Sequence, residues 1–255
     1  MAQLVLVIGS GRTGTNLMGK VLDSHPLITT TFEVQPHFAR SQIAAIIKQG
    51  RARSIPTVLQ GMKEQEKEIL TPIHASKLHH VLWYTDKIIG AFPSVKFVAL
   101  YRNPFATISS MMKHPTVPKM YERYRDRVKA PPAFFGVTQE NAKDYSDYPL
   151  EVQLSLRWQA HMQKIRSVKD RLGERVHTLH YEDLIQHPEK VQKVLTEFLQ
   201  LDSPIDYSKF QTRSLIRWQD NLTYRQVLNI HKTLPYVPIN GNKLNLADLP
   251  EGEPE

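Results

Sequence analysis

Gln3-Leu4-Val5-Leu6-Val7-Ile8-Gly9-Ser10-Gly11-Arg12-Thr13-Gly14-Thr15 decides the fold. The run Gln3–Ile8 is continuously apolar instead of alternating, the pattern of a strand covered on both faces. A glycine-rich turn follows, and then a helix from about Thr15 to Ser24. A buried strand, a glycine turn and a helix in that order imply an α/β fold of three layers, with a central parallel sheet flanked by helices. Lys96–Tyr101 (KFVALY) repeats the strand pattern, with Asn103 placed to cap a helix that starts at Pro104 and carries Ser109 and Ser110. Val176–His180 is a weaker third strand. Glu182–Leu201 has Pro188 at a helix start and Val191, Val194, Leu195, Phe198 and Leu199 at helical spacing, as in a packing helix.

The loop Gly9–Thr15 places backbone N–H groups and a helix N-terminus where they can converge on an anion. Its spacing is P-loop-like, close to GxxxxGK[ST], but Thr15 stands where the lysine that reaches the outer phosphates belongs. A cation appears earlier, at Arg12. The strand Lys96–Tyr101 ends in Arg102, where phosphoryl-transfer enzymes of this architecture carry an aspartate for magnesium. A guanidinium there suits a second phosphate, so no metal is expected.

The 255 residues, 41% hydrophobic and 23% charged, suit a single domain over 1–255. Within it 112–150 reads as an insertion near the acceptor site, rich in proline, charge and the aromatics Tyr121, Tyr124, Phe134, Phe135 and Tyr145, and 250–255 as a loose acidic tail. Cysteine is absent, which removes disulfides and thiolate chemistry and fits a reducing compartment, with the cytoplasm as the default. The apolar run Leu4–Ile8 is too short for a secretory signal, and no stretch is long enough to span a bilayer. The formal net charge of +8 is spread along helices instead of gathered in arginine tracts, so an anionic nucleotide explains it as well as a nucleic acid does.

The ordered motifs resemble the PAPS-dependent sulfotransferase superfamily, particularly the branch with tyrosylprotein and bacterial sulfotransferases; PAPS is 3′-phosphoadenosine 5′-phosphosulfate. Gly11-Arg12-Thr13-Gly14-Thr15-Asn16-Leu17-Met18 looks like the family's 5′-phosphosulfate loop, R-S-G-T-T-L or K-S-G-T-T, with Thr13 in place of serine and Asn16 in place of the second threonine. Tyr101-Arg102-Asn103-Pro104 followed by Ser110 is similar to the 3′-phosphate motif, and Tyr181-Glu182-Asp183-Leu184 to the Y-E-D-L segment whose tyrosine lies against adenine. Ser214-Leu215-Ile216-Arg217-Trp218 resembles an S-x-x-[KR]-W segment that closes over the nucleotide, which would put Ser214 and Arg217 on cofactor phosphate and leave Trp218 to packing.

The resemblance implies in-line sulfuryl transfer from PAPS as co-substrate to a hydroxyl or amine of a small-molecule, carbohydrate, lipid or peptide acceptor. It implies a general base for the acceptor and cations for the departing oxygen. Glu33 stands at the distance from the loop arginine that the glutamate base has in the tyrosylprotein branch. Lys77, read as preceding a helix Leu78–Ala91, matches the family lysine at the leaving oxygen, with Arg12 sharing that charge. His79 completes the K-x-H arrangement of cytosolic sulfotransferases, where the histidine is the base. Glu33 ranks first, because the passage through His25-Pro26 looks like the glutamate branch and His80 marks a helix surface tolerant of histidine. Two other classes compete: a P-loop kinase for a small molecule, which needs the lysine that Thr15 displaces, and a non-catalytic nucleotide- or RNA-binding protein, for which neither Glu33 nor Lys77 is required.

Overall fold

Strand β1 (Gln3–Gly9) lies in the middle of a parallel sheet and shares its backbone with two neighbours. The computed structural model describes residues 2–32, 54–124, 133–207 and 215–237. Among them the sheet has five strands: β1, β2 (Ile28–Phe32), β3 (Ile73–Lys77), β4 (Lys96–Tyr101) and β5 (Val176–His180), in the order β2-β3-β1-β4-β5. All pairings are parallel, with Val7 opposite Lys77 on one side and Val98 on the other.

The alternation of β1 divides the core in two. Leu4, Leu6 and Ile8 point to a cluster with Phe97, Phe105, Leu154, Trp158 and Met162, whereas Val5 and Val7 point to Met18, Val21, Leu22, Leu184, Val191 and Leu195 on the opposite face. Every one of these side chains is buried, so the sheet is covered on both sides as its unbroken apolar run requires. Helices α1 (Thr15–Asp23), α7 (Tyr181–Gln186) and α8 (Pro188–Leu199) cover one face. The other carries α2 (Ser54–Glu68), α3 (Thr85–Ala91), α4 (Pro104–Met112), α5 (Val117–Tyr124) and α6 (Leu150–Leu172), with α9 (Arg217–Asn221) and α10 (Tyr224–Thr233) outside them. Among the described residues no helix is long and apolar enough to cross a membrane.

Two elements differ from the sequence expectation. The segment Leu78–Ala91 is not one helix: His79–Tyr84 winds as a tight 3-10 turn before α3, and His80 is buried within it. Lys77 does not precede a helix but ends β3, a strand hidden from periodicity because His74, Ser76 and Lys77 interrupt its apolar residues although all five positions are buried. His74 is matched by Glu66 of α2 on one ring nitrogen and by Thr31 of β2 at 2.8 Å on the other. In the described part of 112–150, Tyr121, Phe134, Phe135 and Tyr145 are all buried.

Helix α6 is braced through His161. Its Nδ1–H donates to the Arg157 carbonyl at 2.8 Å, and its Nε2 accepts from the indole N–H of Trp83 at 3.3 Å, which requires the neutral ring. The His161 pKa lies well below the ordinary 6.5, first through burial and then through the charge of Arg157. The unfolded chain takes up this proton near pH 6.5 and the folded chain resists it, so the ring's contribution is complete above that pH and falls as acid is added. Thermal unfolding between about pH 7.5 and about pH 5.5 should therefore show a drop in Tm that is smaller in His161→Gln, a side chain with the same donor and acceptor but no titration; equal drops in the two proteins would contradict this.

Candidate active site

The turn from β1 into α1 is made by left-handed backbone at Gly11 (φ +79°), Arg12 (+58°) and Gly14 (+94°). Gly14 occupies the cap position of α1 and supplies no side-chain hydrogen bond, so the first-turn N–H groups keep their capacity for a ligand. A cavity of about 460 Å³ opens there, and Gly11, Arg12, Gly14, Thr15 and Asn16 form its floor. Gly14 has a second reason to be glycine: a Cβ would overlap the ring of Tyr181, which lies on the loop. Thr13 differs from the expectation for the loop as a whole. It is fully buried beneath the turn with its hydroxyl unpartnered and its side chain against Gly9, so only its backbone can serve a ligand.

One end of the cavity lies above β4 and β5. Asn103 caps α4 by accepting the Ala106 N–H at 3.1 Å, and Pro104 fills the first helical position, so the chain turns sharply after Arg102. Arg102 is fixed from several directions: its carbonyl accepts from Trp158 Nε1 at 3.2 Å, its Nη1 donates to the Arg12 carbonyl at 3.3 Å, and its guanidinium lies 4.2 Å from the Tyr181 ring centre. Its Nε is buried without a partner. Burial holds the Arg102 pKa below its ordinary value, against the opposing influence of Tyr181 and Glu182. Glu182 accepts the Asn103 N–H at 3.0 Å, and burial raises its pKa. Arg12 joins this end, because its Nε donates to Ser110 Oγ at 3.2 Å. Two guanidinium groups and a hydroxyl thus stand together, a donor set for a phosphate.

The other end lies above β3. Lys77, buried at the strand terminus, approaches His79 with 3.5 Å between Nζ and Nδ1. A Cβ at Gly11 would lie 3.7 Å from His79 Nε2 and 3.5 Å from Arg157 Nη2, so the imidazole and this guanidinium flank the same loop residue. Arg157 had no place in the sequence reading. Its legible sign is that Arg157 and His161 occupy positions on the buried stripe of α6 otherwise held by Leu154, Trp158, Met162 and Ile165. Among the described wall residues the charged ones are all basic, and the apolar wall comes from Met111, Val117, Met120 and Phe134.

Of the expected residues, Gly11, Arg12, Gly14, Thr15, Asn16, Lys77, His79, Arg102, Ser110 and Tyr181 border one cavity. Arg217 is exposed at the start of α9 and is not part of the wall, while Trp218 beside it is buried and stacks on Phe105 at 5.0 Å. Glu33 and Ser214 lie outside the described residues.

Comparisons with known proteins bear on the family and the fold. A model of the sulfotransferase family matches residues 4–204. No curated protein matches the chain significantly. Among solved structures, a sulfotransferase from Alicyclobacillus acidocaldarius superposes with a TM-score of 0.52 at 15% identity, covering 92% of this chain and 96% of its own. The sulfotransferase domain of the Synechococcus PCC 7002 olefin synthase gives 0.54 at 15% identity, with 92% and 95% covered. Mouse sulfotransferase SULT7A1, in complex with PAP, gives 0.54 at 15% identity, with 92% and 84% covered. At such identities the likeness speaks to the fold, and the match of the family model over most of the chain shows that this protein belongs to the sulfotransferase family.

Proposed function

We propose that the chain transfers a sulfuryl group from PAPS to a hydroxyl or amine of an acceptor. The observation that carries this reading is the division of one cavity into two cationic ends on either side of the β1 loop. Arg102, Arg12 and Ser110 form one end, and Lys77 with His79 forms the other. A donor with an isolated phosphate at one end and a phosphosulfate at the other needs both. The complex of the mouse relative with PAP supports the same donor.

On this reading the 3′-phosphate lies between Arg102, Ser110 and Arg12, and the adenine lies against Tyr181. The 5′-phosphate sits over the loop N–H groups, and the sulfuryl group points toward Lys77. The acceptor oxygen or nitrogen attacks sulfur, the bond from sulfur to the bridging 5′-phosphate oxygen breaks, and the electron pair leaves on that oxygen, which Lys77 stabilises. Arg12, expected beside Lys77, is assigned instead to the 3′-phosphate because of its bond to Ser110. Among the described residues His79 is the group that takes the acceptor's proton, near Lys77 and the loop. Glu33 is the competing base. One argument for preferring it is gone, since His80 is buried and marks no tolerant helix surface. The acceptor enters past Val117, Met120 and Phe134 and so has an apolar face next to its nucleophile. The reaction proceeds without metal, because Arg102 holds the strand-end position of a magnesium carboxylate. We place this chemistry in the cytoplasm, in a single domain.

PAP without metal should raise Tm by about 5–10 °C at a concentration about 100 times its Kd, and Arg102→Ala should lose most of that shift. Greater stabilisation by magnesium-ATP would favour a kinase instead. In an assay with an acceptor found by screening, His79→Gln should lower kcat by about 10²- to 10⁴-fold and leave PAP binding unchanged. A full loss in Glu33→Gln with His79→Gln still active would move the base to Glu33.

A further inference from the structure

Arg157 is buried, yet among the described residues that line the cavity no carboxylate meets its charge. Nη2 donates to the Ser10 carbonyl at 3.2 Å, while Nε and Nη1 are enclosed, with the phenol of Tyr121 beside the guanidinium. The guanidinium lies 4.4 Å from the ring centre of Phe134, a cation–π contact that offsets only part of its lost hydration. The other charged groups that line the cavity are basic among the described residues. The titratable groups that feel its charge are the phenols Tyr121 and Tyr145, which burial keeps protonated, and the neutral His161, with His79 and His80 close by. A buried cation without a matching carboxylate is costly, and the edge of this one that carries Nη2 reaches the cavity beside Gly11, where an anion could compensate it.

Geometry shows which acceptor. Ser10 and Gly11 open the loop, and Arg157 reaches both from the side that carries His79 and Lys77. The far end, with Arg102, Arg12 and Ser110, already provides for a phosphate. A PAPS molecule seated there presents its sulfuryl oxygens to the near end, where Lys77 alone would face the charge that spreads over them during transfer. Resting on the donor assignment above, we propose that Arg157 is a further catalytic residue, holding the non-bridging oxygens of the transferring sulfuryl group. Its backbone is tied through His161 to Trp83, which keeps the guanidinium in place before the donor arrives.

PAP and PAPS differ only by the sulfuryl group, so their binding to one protein isolates this contact. Isothermal titration of wild type, Arg157→Met and Arg157→Lys with each nucleotide is the test. Both variants should bind PAP within about threefold of wild type and PAPS about 10- to 100-fold more weakly, the factor carried by charge-assisted hydrogen bonds. If PAP and PAPS weaken together, Arg157 holds the shared phosphates or the fold, and the proposal fails. Unchanged PAPS binding, as expected if the guanidinium serves an anion on the acceptor, also overturns it. A wild type that binds neither nucleotide refutes the donor assignment and this role with it, an outcome distinct from failure in the variants alone.

Discussion

The molecule is organised around the backbone at the end of β1, where a strand buried on both faces must become a helix within the turn Ser10–Gly14. The turn uses left-handed conformations at Gly11, Arg12 and Gly14, leaves the start of α1 without a side-chain cap, and so creates an unsatisfied positive site at the centre of the sheet. The surrounding features respond to that demand. Neighbouring strands β3 and β4 end in Lys77 and near Arg102, and Tyr181 closes the loop from the side of β5.

Legibility in the sequence followed burial. β1 and β4 declared themselves because both faces are apolar, and the capping of α4 by Asn103 and Pro104 is a local rule that tertiary structure did not override. β3 was hidden because its polar residues are satisfied by distant partners, Glu66 and Thr31, which no local pattern reveals. The 3-10 turn at His79–Tyr84 was hidden for a related reason: its apolar residues suit a helix, and only packing against α6 and Phe134 decides how tightly it winds.

The candidate site was legible where a motif is local. The loop, Arg102 with Ser110, and Tyr181 border one cavity. Side-chain direction was not legible: Arg12 turns to Ser110, and Thr13 turns under the loop. Arg157 was missed because it comes from a helix with no motif, and its meaning depends on contacts made across the fold. A charged residue on an apolar stripe is a sign that can be read in advance, but only once the helix is recognised.

The clamps on the loop are distant in the chain: Arg12 meets Ser110 at a separation of 98 residues, and Ser10 meets Arg157 at 147. The loop is synthesised before Arg157, Trp158 and Tyr181, and its contact with Arg157 must wait for a separation of 147 residues to be made and bridged. Such non-local contacts form late and carry the entropic cost of closing long loops. The assembled loop is therefore a late product of folding, and any anion that settles on it draws the last steps of folding toward completion.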